Sequence, residues 1–261
     1  MNTPADLNID AVRAALSGRV IGGRLLYHDV LSSTMDKARL LAGEGWPEGL
    51  VVVAEEQTAG RGRFDRPWVS PRGHNLSFSV LLRPTSTQLP FVNMAATLAV
   101  SKTVAGLIGR PTTIKWPNDV KIDGRKVSGI LIETDVGKGK LRYAILGIGI
   151  NVNLDPAEHP EIASIATSLS SEMNRHVDRG EVLQSVLERL DDMYGAIKRG
   201  RSLTDEWSAQ LETLGRTVAV RWGHRVFEGR AREVDERGHL VVAMPDGSTV
   251  TVAGGEVTIQ V

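Results

Sequence analysis

The pattern of the sequence changes at about residue 214, and this change restricts the possible folds more than any other feature. Before it, apolar runs typical of strands alternate with helical stripes. After it, five short strand-like segments follow one another closely, separated by Gly, Asp and Pro. Such spacing predicts a small all-β barrel appended to an α+β domain. We therefore expect two domains, residues 1–213 and residues 214–261.

The larger region predicts a mixed, mostly antiparallel sheet flanked by helices. Strands are predicted at residues 24–30, 50–54, 75–82, 112–116, 127–133 and 141–152. Helices are predicted at residues 35–42, 90–108, 181–199 and 203–214. The strand at 50–54 is continuously apolar and should be buried on both faces, whereas 75–82 alternates as a half-buried strand does.

Charge and cysteine content exclude several classes of function. Basic and acidic residues both number 31, so the formal net charge is zero, which argues against binding nucleic acid by bulk electrostatics. The absence of cysteine excludes disulfides, thiolate metal sites and thioester intermediates, and the six histidines show no metal-ligand spacing. Any acyl transfer must therefore use a non-covalent activated intermediate or an oxygen or nitrogen nucleophile.

The ends of the chain carry no sign of export. The first residues lack the basic and apolar runs of a secretory signal, and no stretch approaches the roughly 18 apolar residues of a membrane span. These features predict a cytoplasmic protein that does not enter a membrane.

A loop rich in glycine and arginine is the first segment that could carry chemistry. The run Thr58-Ala-Gly-Arg-Gly-Arg-Phe-Asp-Arg66 places three arginines among glycines that let a ligand approach the backbone. Arginine forks bind phosphates and carboxylates bidentately, so the loop is a candidate anion site. A solvated basic loop or a nucleic-acid patch explains the same composition.

Three further motifs lie at strand ends or within strands. Lys115-Trp-Pro-Asn-Asp119 ends a strand, so Asp119 could bind a magnesium ion held on phosphates, although for this motif alone a plain Asn-Asp turn is the favoured interpretation. Lys126 precedes an apolar run and would need an anion if it pointed inward. Gly147-Ile-Gly-Ile-Asn151 interrupts a strand with glycines, which indicates either a close ligand or packing against a helix.

In this order the motifs resemble those of the biotin protein ligases. The matching segments are Ser33-Thr34, Glu56-Gln-Thr-Ala-Gly-Arg-Gly-Arg-Phe-Asp-Arg-Pro-Trp68, Lys115-Trp-Pro-Asn-Asp119, Lys126-Val-Ser-Gly-Ile-Leu131 and Gly147-Ile-Gly-Ile-Asn-Val152. The resemblance covers nearly the whole chain. It implies a class II synthetase-like catalytic domain followed by an SH3-like β-barrel.

The resemblance also implies a two-step reaction. The biotin carboxylate attacks the α-phosphate of MgATP to give biotinyl-5'-AMP and pyrophosphate, and a lysine of a biotin carboxyl carrier domain then displaces AMP. This scheme agrees with a chain that has no cysteine, because the activated acyl group is carried on AMP. Two anions must be held in contact, which requires opposing positive charge.

Site residues follow from the same resemblance. It implies Lys126, Arg61 and Arg63 as catalytic residues. For biotin it implies Ser33, Thr34, Met35, Gln57, Gly60, Arg61, Gly62, Arg63, Lys126, Gly129 and Gly147. For ATP it implies Arg61, Arg63, Arg66, Trp68, Lys115, Asn118, Asp119 and Asn151, with Asp119 as a ligand of Mg²⁺. The chain departs from the family at Met35, where many members have Asn, and at Phe64, where some have a basic residue.

Other expectations concern partners and motion. The partner implied is the carrier domain of an acyl-CoA carboxylase type enzyme, with the ligase a monomer or weak homodimer. About 23 residues precede the first core strand, which is too few for a three-helix DNA-binding domain, so we expect no specific DNA binding. Residues 58–74 should be mobile without ligand and close over the adenylate.

Three alternative functions remain open at this stage. A lipoate or octanoate ligase or transferase shares the general architecture, but those relatives lack the Gly-Arg-Gly-Arg loop. A non-catalytic anion- or nucleotide-binding module is the second alternative. A nucleic-acid-binding protein is the third, and the zero net charge disfavours it.

Overall fold

A computed structural model describes residues 6–260 and divides the strands between two sheets. The first sheet contains β1 (Arg24–Leu31), β2 (Leu50–Gln57), β3 (Leu76–Leu82), β4 (Thr113–Lys115), β5 (Asp119–Ile122), β6 (Arg125–Gly137) and β7 (Lys140–Ile150). Its spatial order is β1-β2-β3-β7-β6-β5-β4. Only β1 and β2 pair in parallel; the other neighbours are antiparallel. This confirms the mixed, mostly antiparallel sheet.

Helices cover both faces of this sheet. They are α1 (Ile9–Ala15), α2 (Thr34–Gly43), α3 (Leu89–Ile108), α4 (Leu169–Met173), α5 (Arg179–Lys198) and α6 (Thr204–Ser208). Helix α2 packs on β2, β3 and β7 over a small apolar cluster, while α3 lies over β4, β5 and β6 with α5 packed against it. The larger core lies on the side of α3 and α5, and this leaves the start of α2 to border a cavity.

Helix α3 corrects one expectation. It has 20 residues and a mean hydropathy of 1.5, so by length and composition it could cross a membrane, and the statement that no stretch approaches such a span is wrong. In the fold 61% of its apolar window is buried against the sheet and α5. It is therefore a core helix of the fold, and its high apolar content reflects this burial.

Strand β3 is buried along its whole length, so the prediction of a half-exposed strand is wrong. Its polar alternation has another cause. The hydroxyl of Ser79 pairs with that of Thr34 at 2.8 Å, and the hydroxyl of Ser77 pairs with that of Ser70 at 2.8 Å. Two serines can be buried because each has a hydroxyl partner.

Two other predictions differ from the structure near β4. The helix predicted at 203–214 is confined to Thr204–Ser208, because the chain then extends beside β4 and exchanges backbone hydrogen bonds with Ile114. Strand β5 was missed, since its four residues stand between two turns. It pairs with β4 on one side and with β6 on the other.

The C-terminal strands form a second sheet. These are β8 (Thr217–Trp222), β9 (Arg225–Val234), β10 (Leu240–Ala243), β11 (Thr249–Val252) and β12 (Glu256–Ile259), antiparallel in the order β11-β10-β9-β8-β12. Within residues 6–260 no ladder joins β11 to β12, so the SH3-like arrangement is found but the closed barrel is not. The indole N–H of Trp116 donates to the carbonyl of Gly238 at 2.9 Å and links the two sheets.

Candidate functional site

The Gly/Arg loop, residues 58–74, is fixed at its start to the end of β1. The backbone N–H groups of Thr58 and Ala59 each donate at 2.9 Å, to the carbonyls of Leu31 and Ser32 respectively. The loop therefore leaves the sheet beside the first turn of α2. This position carries its arginines across the middle of β6 and β7.

A first cavity lies between the start of α2, the end of β2 and the middle of β6 and β7. It has an empty volume of about 470 Å³, open mouth included. It is lined by Ser33, Thr34, Met35, Gln57, Arg61, Gly62, Arg63, Trp68, Ser77, Phe78, Asn118, Lys126, Gly129, Ile130, Leu131, Gly147, Ile148 and Gly149. Ten of the eleven residues predicted for biotin are among these; Gly60 is not.

Neutral hydrogen-bonding groups gather at the α2 end of the first cavity. The backbone N–H and the hydroxyl of Thr34 both donate to the amide oxygen of Gln57, at 2.8 and 3.0 Å. Ser33 occupies the N-cap position of α2, but its buried hydroxyl makes no capping hydrogen bond. The amide of Gln57 is thus held in one orientation, and the Ser33 hydroxyl is not used by the helix.

Glycines form the floor of the first cavity. A Cβ atom at Gly147 would stand 2.7 Å from the sulfur of Met35, and one at Gly149 would stand 2.3 Å from the Trp68 indole. Neither distance is compatible with packed atoms. The space that these glycines leave is therefore occupied by the chain's own Met35 and Trp68, which lie flat on the sheet.

Trp68 separates the first cavity from a second one and lines both. The Nζ of Lys126 lies 5.6 Å from the centroid of its ring. Its indole N–H is buried and has no acceptor among residues 6–260. A buried donor without a partner is costly, so this N–H is a group that a ligand could satisfy.

The second cavity is larger, with an empty volume of about 1450 Å³, open mouth included. It lies between the Gly/Arg loop, β4, β5 and the start of β12. Its walls are Gly62, Arg63, Phe64, Arg66, Pro67, Trp68, Val69, Lys115, Trp116, Asn118, Asp119, Lys121, Gly124, Lys126, Asn151, Ile162, Ser164, Ile165, Ala166, Glu256 and Val257. Of the eight residues predicted for ATP, seven line it.

Cations dominate the wall of the second cavity. Lys126 forms an ion pair with Asp119, with Nζ and Oδ1 2.7 Å apart, and Lys121 donates to Glu212 at 2.6 Å. Burial lowers the pKa of Lys115, which shows that desolvation outweighs the attraction of the nearby carboxylates. An anion entering this cavity would restore favourable charge pairing.

Arg63, the second arginine of the loop, links the loop to Asn118 and to the C-terminal sheet. Arg63 donates to Oδ1 of Asn118 at 2.9 Å and to the carbonyl of Gly255 at 2.8 Å. Arg66 forms an ion pair with Glu256 at the start of β12. The loop is therefore attached to the C-terminal sheet, which supplies part of the second cavity.

Phe64 is one of the two positions at which the chain departs from the motifs that it resembles. Its side chain is 55% exposed, and the guanidinium groups of Arg63 and Arg66 lie 4.9 and 6.0 Å from its ring centroid. The Phe64 ring is thus within cation–π distance of both arginines. This side chain adds no charge, but it positions the charges beside it.

Arg61 lies outside the second cavity. Its guanidinium forks onto the carboxylate of Asp36 in α2 with two hydrogen bonds of 2.8 Å, and Glu133 lies 3.9 Å away. These contacts hold the pKa of Asp36 below its usual value. The contact of Arg61 with ATP phosphates stays a prediction; in this structure its guanidinium is directed to the α2 side of the first cavity.

Asp119 was predicted to hold Mg²⁺. Its carboxylate faces the second cavity but is paired with Lys126. Residues 6–260 contain no group of three or more acidic or histidine side chains that could enclose a metal ion. The residues therefore fit a magnesium ion that is carried by phosphates and touches one carboxylate, and they do not fit a cage built by protein alone.

Several cavity residues were missed by the sequence analysis. Gly149 had a visible signal, since it is the second glycine of Gly-Ile-Gly-Ile. Ile162 and Ile165 lie in an irregular segment with no periodicity, and Glu256 is distant in sequence from the loop that it contacts. No local pattern could have identified the last three.

Both the larger region and the C-terminal region are similar to known proteins. Residues 27–151 match the model of the Biotin/lipoate A/B protein ligase family, and residues 213–259 match that of the Biotin protein ligase C terminal domain. The chain is 37% identical over 249 residues to the bifunctional ligase/repressor BirA of Bacillus subtilis (strain 168), covering 94% of this chain and 77% of that one.

Two further similarities support the same grouping. The chain is 34% identical to biotin--[acetyl-CoA-carboxylase] ligase of Mycobacterium tuberculosis, over 80% of this chain and 79% of that protein. Among solved structures, biotin protein ligase from Aquifex aeolicus in complex with biotin and ATP superposes with a TM-score of 0.76 at 31% identity, covering 91% of this chain and 98% of the other.

Proposed function

The chain belongs to the biotin protein ligase family, and from this premise we propose how its two cavities carry out the reaction. Biotin occupies the first cavity and ATP the second. The biotin carboxylate attacks the α-phosphate, forming biotinyl-5'-AMP and releasing pyrophosphate. A lysine amine of a biotin carboxyl carrier domain then attacks the mixed anhydride, forming an amide and releasing AMP.

One observation carries this proposal: the two cavities meet along a common wall. Gly62, Arg63, Trp68, Asn118 and Lys126 line both of them. A carboxylate in one cavity and a triphosphate in the other would therefore come together beside Lys126 and Arg63. Two cations at the meeting point of two anions reduce their repulsion and orient the attack.

The first cavity suits a neutral ring system with a polar head. Ser33, Thr34 and Gln57 offer hydrogen bonds at the α2 end, where the ureido head group would lie. Met35 and the glycine floor provide an apolar surface for the bicycle and its chain. For biotin to enter, the Trp68 indole must give up part of the space over Gly149.

Lys126 is the residue we assign to the reacting groups. Its ammonium is paired with Asp119 in the ligand-free protein and lies beside the wall shared by the cavities. On binding, the biotin carboxylate and the α-phosphate compete with Asp119 for this charge. The carboxylate of Asp119 is then available to the magnesium ion that ATP carries.

Arg61 and Arg63 take different roles in this scheme. Arg63 reaches both cavities and so can contact the biotin carboxylate and the phosphates. Arg61 reaches only the first, where its bond to Asp36 fixes the loop over the biotin side. Arg66, Lys115, Asn118 and Asn151 remain proposed for the nucleotide.

The acceptor lysine needs a route that keeps its amine neutral. A third cavity of about 1000 Å³, open mouth included, lies between α3 and the C-terminal sheet and also reaches Arg63 and Asn118. Among the described residues that line it none is acidic, while Arg237 and Arg63 are cationic. Such walls disfavour an ammonium group and favour the nucleophilic amine, so we propose this cavity as the entrance.

The cellular setting is part of the same proposal. The partner is the carrier domain of a biotin-dependent carboxylase, and the enzyme acts in the cytoplasm. Monomeric or weakly dimeric assembly and the absence of specific DNA binding stay predictions.

The reaction is tested by incubating the protein with biotin, MgATP and a biotin carboxyl carrier domain, and weighing the carrier by mass spectrometry. We expect a gain of one biotinyl group, and no gain when the acceptor lysine of the carrier is replaced by Arg. Replacing biotin by lipoate separates the lipoate ligase alternative. Lipoylation without biotinylation, or no modification by protein that binds both substrates, would overturn the proposal.

A further inference from the structure

Asn75 lies immediately before β3, at the point where the Gly/Arg loop rejoins the sheet. It is 1% exposed and lines neither of the two cavities that hold the substrates. A buried amide in an apolar core must have hydrogen-bond partners. Those of the Asn75 side chain lie on two separate segments of the chain.

Each polar atom of the Asn75 side chain is used. Its amide nitrogen donates to the carbonyl of Val69 at 3.1 Å and to Oδ1 of Asn151 at 3.4 Å. Its amide oxygen accepts from the backbone N–H of Val152 at 3.2 Å. One side chain therefore connects the end of the loop to the end of β7.

The two connected segments both belong to the second cavity. Val69 lines it and follows Trp68 directly, while Asn151 lines it from the end of β7. Asn151 in turn donates to the carbonyl of Thr167 at 3.0 Å, next to the irregular segment that closes the far side. Asn75 thus touches two walls of the cavity from behind.

The backbone of Asn75 is itself held in place. Its carbonyl accepts from the guanidinium of Arg179 at 3.4 Å. Arg179 is fully buried between the carboxylates of Asp6 and Glu55, with N to O distances of 2.9 Å to each. Asn75 is therefore fixed from the interior of the protein, and the loop is fixed to Asn75.

We propose that Asn75 is a positioning residue for the nucleotide: it holds Val69 at a set distance from Asn151 so that both walls meet ATP together. The inference rests on the proposed function of the second cavity. It assigns Asn75 no contact with substrate. Its effect should appear in ATP binding rather than in biotin binding, because Val69 and Asn151 line the second cavity and not the first.

The test uses Asn75→Asp, which keeps the shape of the side chain but replaces the donor by an acceptor. Val69 and Asn151 would then face an oxygen. A buried acceptor that loses its donor should weaken the binding of ATP by roughly 10-fold or more. We expect the KM for ATP to rise by about 10-fold, with kcat and the KM for biotin changed by less than about 3-fold.

Ser70→Ala is the matched control. It removes a buried hydrogen bond, to Ser77, from the same end of the loop without touching Asn151. For Ser70→Ala we expect the ratio of the KM for ATP to the KM for biotin to stay within about 2-fold of the wild-type ratio. An equal rise in both KM values for Asn75→Asp, or the same ATP effect in Ser70→Ala, would refute the positioning role.

A measurement on the unmodified protein covers the case in which the variant does not fold. Hydrogen exchange is followed in peptides that contain Val69 and Val152, with and without ATP. Because Asn75 joins these segments, we expect ATP to slow exchange in both. Slowing in one alone would overturn the inference, whereas a wild-type protein that makes no biotinyl-AMP would overturn the proposed function instead.

Discussion

The two cavities that we propose for the substrates are built in opposite ways. The first rests on the strands β6 and β7 and on the start of α2, and the polar groups Thr34 and Gln57 at its α2 end are neutral and bonded to each other. The second is enclosed by a loop, an irregular segment and the start of β12, and it is lined by cations, of which Lys115 is held at a lowered pKa by burial.

This difference corresponds to what each cavity has to select. A ring system of fixed shape is recognised by rigid strands that leave a defined space, so the first cavity can exist before its ligand arrives. A flexible polyanion is recognised by charge, and cations held close together repel one another until it binds. The second cavity should therefore depend on its ligand for order, and the first should not.

Lys126→Ala gives the largest expected effect, because this residue belongs to both cavities. We expect adenylate formation, measured as pyrophosphate release, to fall by about 100- to 1000-fold, the range for loss of a charge that stabilises a transition state. Lys102→Ala, which removes an ion pair between α3 and Glu206 of α6, is the control and should retain activity. A loss below about 10-fold for Lys126→Ala would show that the shared wall is not the reaction centre.

Gly147→Ala tests the first cavity, which we assign to biotin. The new methyl group would meet the sulfur of Met35 and narrow the first cavity. We expect the KM for biotin to rise by about 10-fold, since overpacking typically costs 1–3 kcal/mol, while the KM for ATP stays unchanged. Met35→Ala in the same chain should recover part of the loss, and an ATP defect of equal size would contradict a separate, preformed cavity.

The pH dependence of ATP binding gives the smallest expected effect. Burial lowers the pKa of Lys115 in the free protein, and bound phosphate should raise it again. At pH values between the pKa of Lys115 in the free protein and its pKa in the ATP-bound protein, ATP binding takes up a proton. The affinity for ATP therefore falls as the pH rises through the lowered pKa. Calorimetry in two buffers of different ionisation enthalpy should detect the uptake, and Lys115→Arg should remove it. Equal uptake in the variant would assign it to another group.

Much of the fold was predictable because burial leaves a local trace in the sequence. The apolar run at the start of β2 and the stripe of α5 were found for this reason. Strand β3 was misjudged, since its serines alternate as exposed residues do. Their burial depends on hydroxyl partners in α2 and in the loop, which no pattern within the strand reveals.

The residues of the site were predictable where they belong to compact sequence motifs. Lys126 and Arg63 stood in such motifs, and both reach the shared wall. The direction of Arg61 was not predictable, because Asp36 on α2 decides it. The contribution of Glu256 was also hidden, as it depends on how the C-terminal sheet docks.

Helix α3 has a consequence for how the chain is made. The ribosome releases its 20 residues before β4 to β7 exist, and α5, which packs against it, follows about 70 residues later. At about 5–20 residues per second, roughly 4–14 s pass before that partner is available. During this interval the nascent chain presents a segment as apolar as a membrane span. Early strands and cellular chaperones must shield it, so the yield of folded protein should depend on the rate of translation.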